Sequence, residues 1–222
     1  MPNVRQEINR QLKDITISLI EKSFSIHQNW PVFKSDTRII VWQNFKNIAF
    51  SLKDEAYHII YSEIIKQEDY NFLLLDGAII QMLYQFDHRD NIIGHVLAFY
   101  PHPSFIKYQD FPNEYEDLFY GDELFADMQE GKIITFPLRF DFSEIHNEII
   151  HPKVHLTLGN FQDCRIPVSK PLSPKRFISF ILRNFYLQKF IDADIEKFLE
   201  DDLSFEETIT LEEKKLLHFH YW

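Results

Sequence analysis

The sequence predicts an α+β fold, an antiparallel meander sheet with N- and C-terminal helices packed on its apolar face. Three observations carry this. Apolar residues recur at helical spacing at both ends, at Ile8, Leu12, Ile15 and Leu19 and again at Phe177, Ile178, Ile181 and Leu182. Between them the pattern changes to two-residue alternation, cleanest over residues 133–142. Short turn signals such as Asp76-Gly77 separate the alternating runs, close enough for successive strands to pair antiparallel.

Taken in order, residues 4–27 read as one amphipathic helix whose stripe extends to Phe24, ended by Asn29-Trp30-Pro31 because proline pushes its predecessor out of the α region. Residues 37–42 read as a short strand, and residues 52–67 as a second helix carrying Ala56, Ile59, Ile60 and Ile64. Strands then follow at 71–75, 78–86 and 92–100, the last stopped by Pro101-His102-Pro103. Residues 104–131 form an acidic, aromatic insertion. Strands at 133–142, 154–158 and 164–168 complete the meander. Ser173 as N-cap with Pro174 at the first helical position starts the C-terminal helix. Thr210-Leu211-Glu212-Glu213 is a capping-box pattern, and the aromatic end, His218 to Trp222, is expected to dock on the body. With no linker or repeat, residues 1–222 are read as one domain: a helical part at 1–67, the sheet at 71–168 and a second helical part at 173–222.

Composition narrows the function classes. At 45% apolar and 16% aromatic residues the chain can build a core, which excludes disorder. Only 5 glycines occur, and neither a dinucleotide-binding nor a P-loop glycine pattern is among them. The single Cys164 excludes an internal disulfide and a cysteine-based zinc site, and fits a cytoplasmic setting. No apolar run is long enough to span a membrane, and the polar start of the chain suggests no signal peptide. The net charge of −11 is unevenly spread: residues 109–130 and 191–213 contribute −8 and −9, which leaves +6 on the remainder. An acidic total therefore does not exclude an anionic partner.

Strand parity places the chemistry. In residues 133–142 the apolar residues alternate with Thr135, Arg139 and Asp141. The same alternation sets His155 and Thr157 apart from Val154, Leu156 and Leu158, Arg165 apart from Ile166, and Gln81 and Gln85 apart from Ile80, Met82 and Tyr84. Neighbouring strands would gather Gln81, Gln85, Arg139, Asp141, His155, Thr157 and Arg165 on one face. Histidine suits proton transfer near neutral pH, and arginine suits phosphate or a developing anion. His155 is thus the candidate acid or base, Arg139 and Arg165 the candidate phosphate holders, with Gln81, Gln85, Asp141, Thr157, His102 and His151 as further binding candidates. The plain alternative is the solvated side of a sheet. Metal ligation by His102, His151, His155 and Asp141 is the rival chemistry, but the spacing of His151 and His155 suits a metal on a helix, and Pro152 argues against one there. No metal or cofactor is expected.

The motifs Leu73-Leu74-Leu75-Asp76-Gly77, Tyr100-Pro101-His102-Pro103, His151-Pro152-Lys153-Val154-His155-Leu156 and Cys164-Arg165-Ile166-Pro167, with the Phe-rich helix after them, resemble an uncharacterised bacterial domain-of-unknown-function family. The layout also faintly resembles small toxin–antitoxin proteins. The family likeness implies a prokaryotic, cytoplasmic protein, and the second likeness a toxin–antitoxin or anti-phage setting. The expected function is engagement of RNA or a nucleotide, extending to metal-independent, His155-dependent RNase chemistry. The competing expectation is a non-enzymatic accessory subunit that binds a protein partner from the same operon through the acidic insertion and the aromatic C-terminus.

Overall fold

A computed structural model describes residues 3–46, 55–103, 136–159, 161, 163–201 and 203–221. Among these lie nine strands in one antiparallel sheet and four α-helices. None of the helices is long and apolar enough to cross a membrane. The acidic insertion at 104–131 and Thr135 lie outside the described residues.

Helix α1, Val4–Glu21, begins with a reciprocal cap in which the Asn3 side chain accepts from the Gln6 N–H at 2.9 Å and the Asn3 N–H donates to Gln6 Oε1 at 3.2 Å. It does not run to residue 27. Ser23, at φ +52°, reverses the chain, and the Phe24 N–H closes onto the Leu19 carbonyl at 2.8 Å. Phe24 is buried, so the apolar stripe continues past the helix because tertiary packing, not helical periodicity, puts it inside. The chain then enters β1 (Ser25–Gln28) and β2 (Pro31–Lys34), two strands too short and too weakly alternating to read from sequence. Strand β3 is Ile39–Trp42 and helix α2 is Tyr57–Gln67.

The remaining strands are β4 (Phe72–Leu74), β5 (Ile79–Phe86), β6 (Ile92–Tyr100), β7 (Leu138–Ser143), β8 (Val154–Leu158) and β9 (Ile166–Pro167). From β4 to β9 they pair consecutively, as a meander does. One edge of β5 is shared: β4 pairs with Ile79 and Ile80, and β3 with Tyr84 and Gln85. Strand β1 flanks β4, and β2 forms a hairpin with β3. Strand β7 starts only after Pro137, which lacks the N–H a ladder needs, and Phe136 is 42% exposed instead of joining the core. The expected strand at 164–168 shortens to two residues.

Helix α3, Pro174–Phe185, and α1 lie over one face of the sheet and bury Phe177, Ile178, Ile181 and Leu182 with Leu97, Phe99, Phe140 and Phe142. Phe140 meets Phe177 and Phe180 edge-on, and Phe99 stacks on Phe185 at 5.2 Å. A short helix, α4 (Leu187–Asp192), follows. Helix α2 packs on the opposite face at the β4–β6 end, where Ile60, Tyr61 and Ile64 meet Ile79, Ala98 and Tyr100. That leaves the β7–β9 end of the second face for polar side chains. The C-terminal segment runs along β9, with a parallel bridge between Val168 and Phe219, and the Thr210–Glu213 cap forms at a single 3₁₀ turn.

Ser173 caps α3 by accepting from the Arg176 N–H at 3.2 Å, and its hydroxyl also donates to Asp201. Ser173→Ala is expected to cost about 1–2 kcal/mol in urea unfolding, the range of a lost N-cap. A change under a few tenths would mean that the cap contributes nothing.

Candidate functional site

The ladder registers set the polar side chains in two rows across the second face. Ala98, Arg139 and Thr157 form one row, with Gln81 beyond Ala98. Val96, Asp141, His155 and Pro167 form the next. Strand β7 alternates as its sequence requires: Leu138, Phe140 and Phe142 are buried, while Arg139 and Asp141 face the other way and remain partly open.

Asp141 is the hub. Its Oδ2 accepts from Arg139 Nε at 2.7 Å and lies 3.5 Å from His155 Nε2. Burial works to raise this carboxyl, but the interactions with His155 and Arg139 outweigh it, and the net shift is downward. His155 is 3% exposed, and its Nδ1–H donates to the Pro152 carbonyl at 3.0 Å. This bond fixes the ring and leaves Nε2 facing Asp141.

His151 sets its ring edge-on against His155, centroids 4.9 Å apart, and unlike His155 it is partly exposed. Partial burial lowers its affinity for a proton, and the nearby charges of His155 and Arg165 lower it further. Paired backbone bonds between His151 and Asn147 hold it at the base of the β7–β8 turn. Within that turn Ile149 sits at φ +69°, a conformation that a β-branched residue tolerates only under constraint. Arg165 has a loose partner, Asp163, at 3.8 Å, and that carboxylate is fully exposed.

The structure therefore brings Arg139, Asp141, His155 and Thr157 together, with His151 and Arg165 beside them, and leaves three candidates apart. Gln81 is fully buried and donates to the Asp69 carbonyl, which ties β5 to the end of α2. Gln85 is exposed at the far end of β5, across from Gly94. His102 lies six residues beyond Val96, roughly 20 Å along the strand direction, edge-on to Tyr61 at 5.0 Å. Nor is the face uniformly wet, since Thr157 is 5% exposed. Among the described residues no group of three or more His, Cys, Asp or Glu side chains is placed to hold a metal ion.

His95 did not stand out in the sequence, although its parity with Leu97 and Phe99 assigns it to the core face. There its Nδ1–H donates to the Phe140 carbonyl at 3.2 Å, and Nε2 accepts from the Leu172 N–H at 3.1 Å. The Asp76-Gly77 turn also has a structural role: Asp76 accepts from the Tyr186 hydroxyl at 2.7 Å and from the Ala78 N–H at 3.0 Å.

Fold and site together define an α+β protein whose antiparallel sheet carries a compact His–Asp–Arg cluster at one end of one face. The chain belongs to the uncharacterised conserved protein family DUF2290, whose model matches residues 23–221 and so spans every motif on which the family resemblance rests. No curated protein and no solved structure matches the chain.

Proposed function

We propose that this chain engages RNA or a nucleotide through the β7–β9 end of the second face and cleaves RNA there by proton transfer. The observation that carries the reading is the partly exposed His151 imidazole, set against a His155 that Asp141 and the Pro152 carbonyl hold in place, with Arg165 alongside. His151 is the ring substrate can reach, and the same surroundings that disfavour its charged form favour it as a base at neutral pH. In the reaction, His151 takes the proton of a ribose 2′-hydroxyl as the 2′-oxygen bonds to phosphorus. The bond from phosphorus to the 5′-oxygen breaks, and His151 returns the proton to that departing oxygen, leaving a 2′,3′-cyclic phosphate. Arg165 balances the charge on the phosphate, while His155 and Asp141 position His151 from behind. Such an activity would suit a toxin–antitoxin or phage-defence setting.

The test is cleavage of a labelled RNA oligonucleotide by the purified chain, with its binding followed in parallel. His151→Ala is expected to slow cleavage at least ~100-fold, the lower end of general acid–base contributions, with an unchanged thermal melt. An unaltered rate in that variant, or wild-type protein that neither binds nor cuts the RNA, would overturn the proposal.

A further inference from the structure

Strand β8 ends at Leu158, and the next residue, Gly159, carries no side chain and turns at φ +66°. Its N–H donates to the Pro137 carbonyl at 2.7 Å, which joins the ends of β7 and β8. Two phenylalanines border this glycine. A Cβ at Gly159 would lie 3.4 Å from Phe161 Cδ2 and 3.6 Å from Phe136 Cβ, both ordinary contact distances. Phe161 is 75% exposed and Phe136 42% exposed, so neither ring is spent on the core. The Cys164 N–H closes a turn onto the Phe161 carbonyl at 3.1 Å, so Arg165 follows directly on the turn that presents Phe161.

From this arrangement we infer that the site takes single-stranded RNA, with an unpaired base stacked on Phe161 beside Phe136 while the backbone phosphate lies at Arg165 and His151. The inference rests on the proposed RNA-binding reading and specifies its substrate class. An exposed aromatic face next to a cation is what an unpaired nucleotide matches, since its base offers a π-face and its phosphate a charge. Every base has such a face, so the contact selects for an unpaired strand and not for sequence. In a duplex the same faces are occupied by neighbouring bases, and Phe161 gains nothing. The separation also favours a strand over a mononucleotide. Gly159 lies four residues from His155, roughly 13 Å at the spacing of a β-strand, and His151 packs against His155, so an extended strand is what reaches His151 and Phe161 together.

The experiment is fluorescence anisotropy at low salt with a labelled oligouridylate, the same length of RNA as a blunt duplex, and uridine monophosphate as competitor. Wild-type protein is expected to bind the single strand at least ten-fold more tightly than the duplex and to resist competition by the mononucleotide. Phe161→Ala, at a position too exposed to support the fold, is expected to weaken single-strand binding roughly ten-fold, the scale of one lost base stack, and to leave duplex binding unchanged. Phe161→Tyr should retain it. If Phe161→Ala binds the single strand as wild type does while Arg165→Gln weakens it, the phosphate reading stands and the base contact is overturned. Equal affinity for strand and duplex also overturns it. Binding of neither form removes both proposals together.

Discussion

Lowering the pH from 6.5 to 4 is expected to cost the native state about 3 kcal/mol through His95 alone. The ring is 1% exposed on the core face of β6, edge-on to Tyr84 and tilted against Phe142. Burial pushes its pKa down from 6.5 to about 4, against the pull of the Asp141 charge on the other side of the sheet. The hydrogen bonds agree with the direction. Nδ1 donates to the Phe140 carbonyl while Nε2 accepts from the Leu172 N–H, so the ring is satisfied in its neutral form and a second proton would face a donor. The folded value lies below the unfolded one, so the stabilisation is fully present above pH 6.5 and declines as the pH falls towards 4, where the unfolded chain binds a proton the folded one refuses. His151, also shifted down, acts in the same direction. Asp69 and Asp76, whose carboxyls burial pushes up, act in the opposite one. Urea unfolding from pH 7 to 4, for wild type and His95→Gln, isolates the contribution. The variant should be less stable at pH 7, and the difference between the two proteins should shrink by about 3 kcal/mol at pH 4. A constant difference across the range would show that His95 does not titrate with unfolding.

The contrast between His95 and His155 shows what the sequence makes legible and what it hides. Alternation assigns both rings to their faces correctly, because a period of two leaves a strand residue only two directions. Alternation says nothing of depth. His155, on the polar parity, is nearly as buried as His95 on the apolar one, with the His151 ring packed against it. Register is equally hidden: Gln81 and Arg139 share a parity, yet helix α2 and the turn before β4 enclose the first and leave the second partly open. The family motifs are visible as strings, but the role of Asp76 depends on Tyr186, 110 residues away, whose hydroxyl donates to it. The strands β1 and β2 escaped because their four residues each carry too little pattern to outweigh the helix ahead of them. Turn chemistry and caps are local and so the most legible: Ser173 with Pro174, and Thr210 with Glu213, act in the structure as their spacing predicts.

Asp141→Ala is expected to destabilise the fold by about 3 kcal/mol, the lower end of the loss seen when one partner of a buried charged set is removed. The carboxylate is 16% exposed and answers both Arg139 and His155. Without it, Arg139 keeps a guanidinium at 24% exposure with no acid at hand in its row, and His155 Nε2 loses the group it faces. Asp141→Asn keeps the shape and one acceptor for Arg139 but no charge, and should recover about half of the loss. The pH dependence separates this effect from that of His95. A carboxyl shifted down contributes stability that is present above its ordinary value near 3.8 and is lost as pH falls through its lower folded value. Asp141 therefore acts below about pH 4, where most of the His95 contribution is already lost. Wild type and Asp141→Asn should thus differ by a constant amount from pH 7 to 5 and converge only in more acid solution. Convergence at pH 5 to 6 would mean that Asp141 is not held by Arg139 and His155 as the geometry has it. The same variant bears on the site. If Asp141 and His155 position His151, Asp141→Asn should lower the rate of RNA cleavage at saturating substrate with little change in binding. A merely structural Asp141 would leave that rate unchanged wherever the protein remains folded.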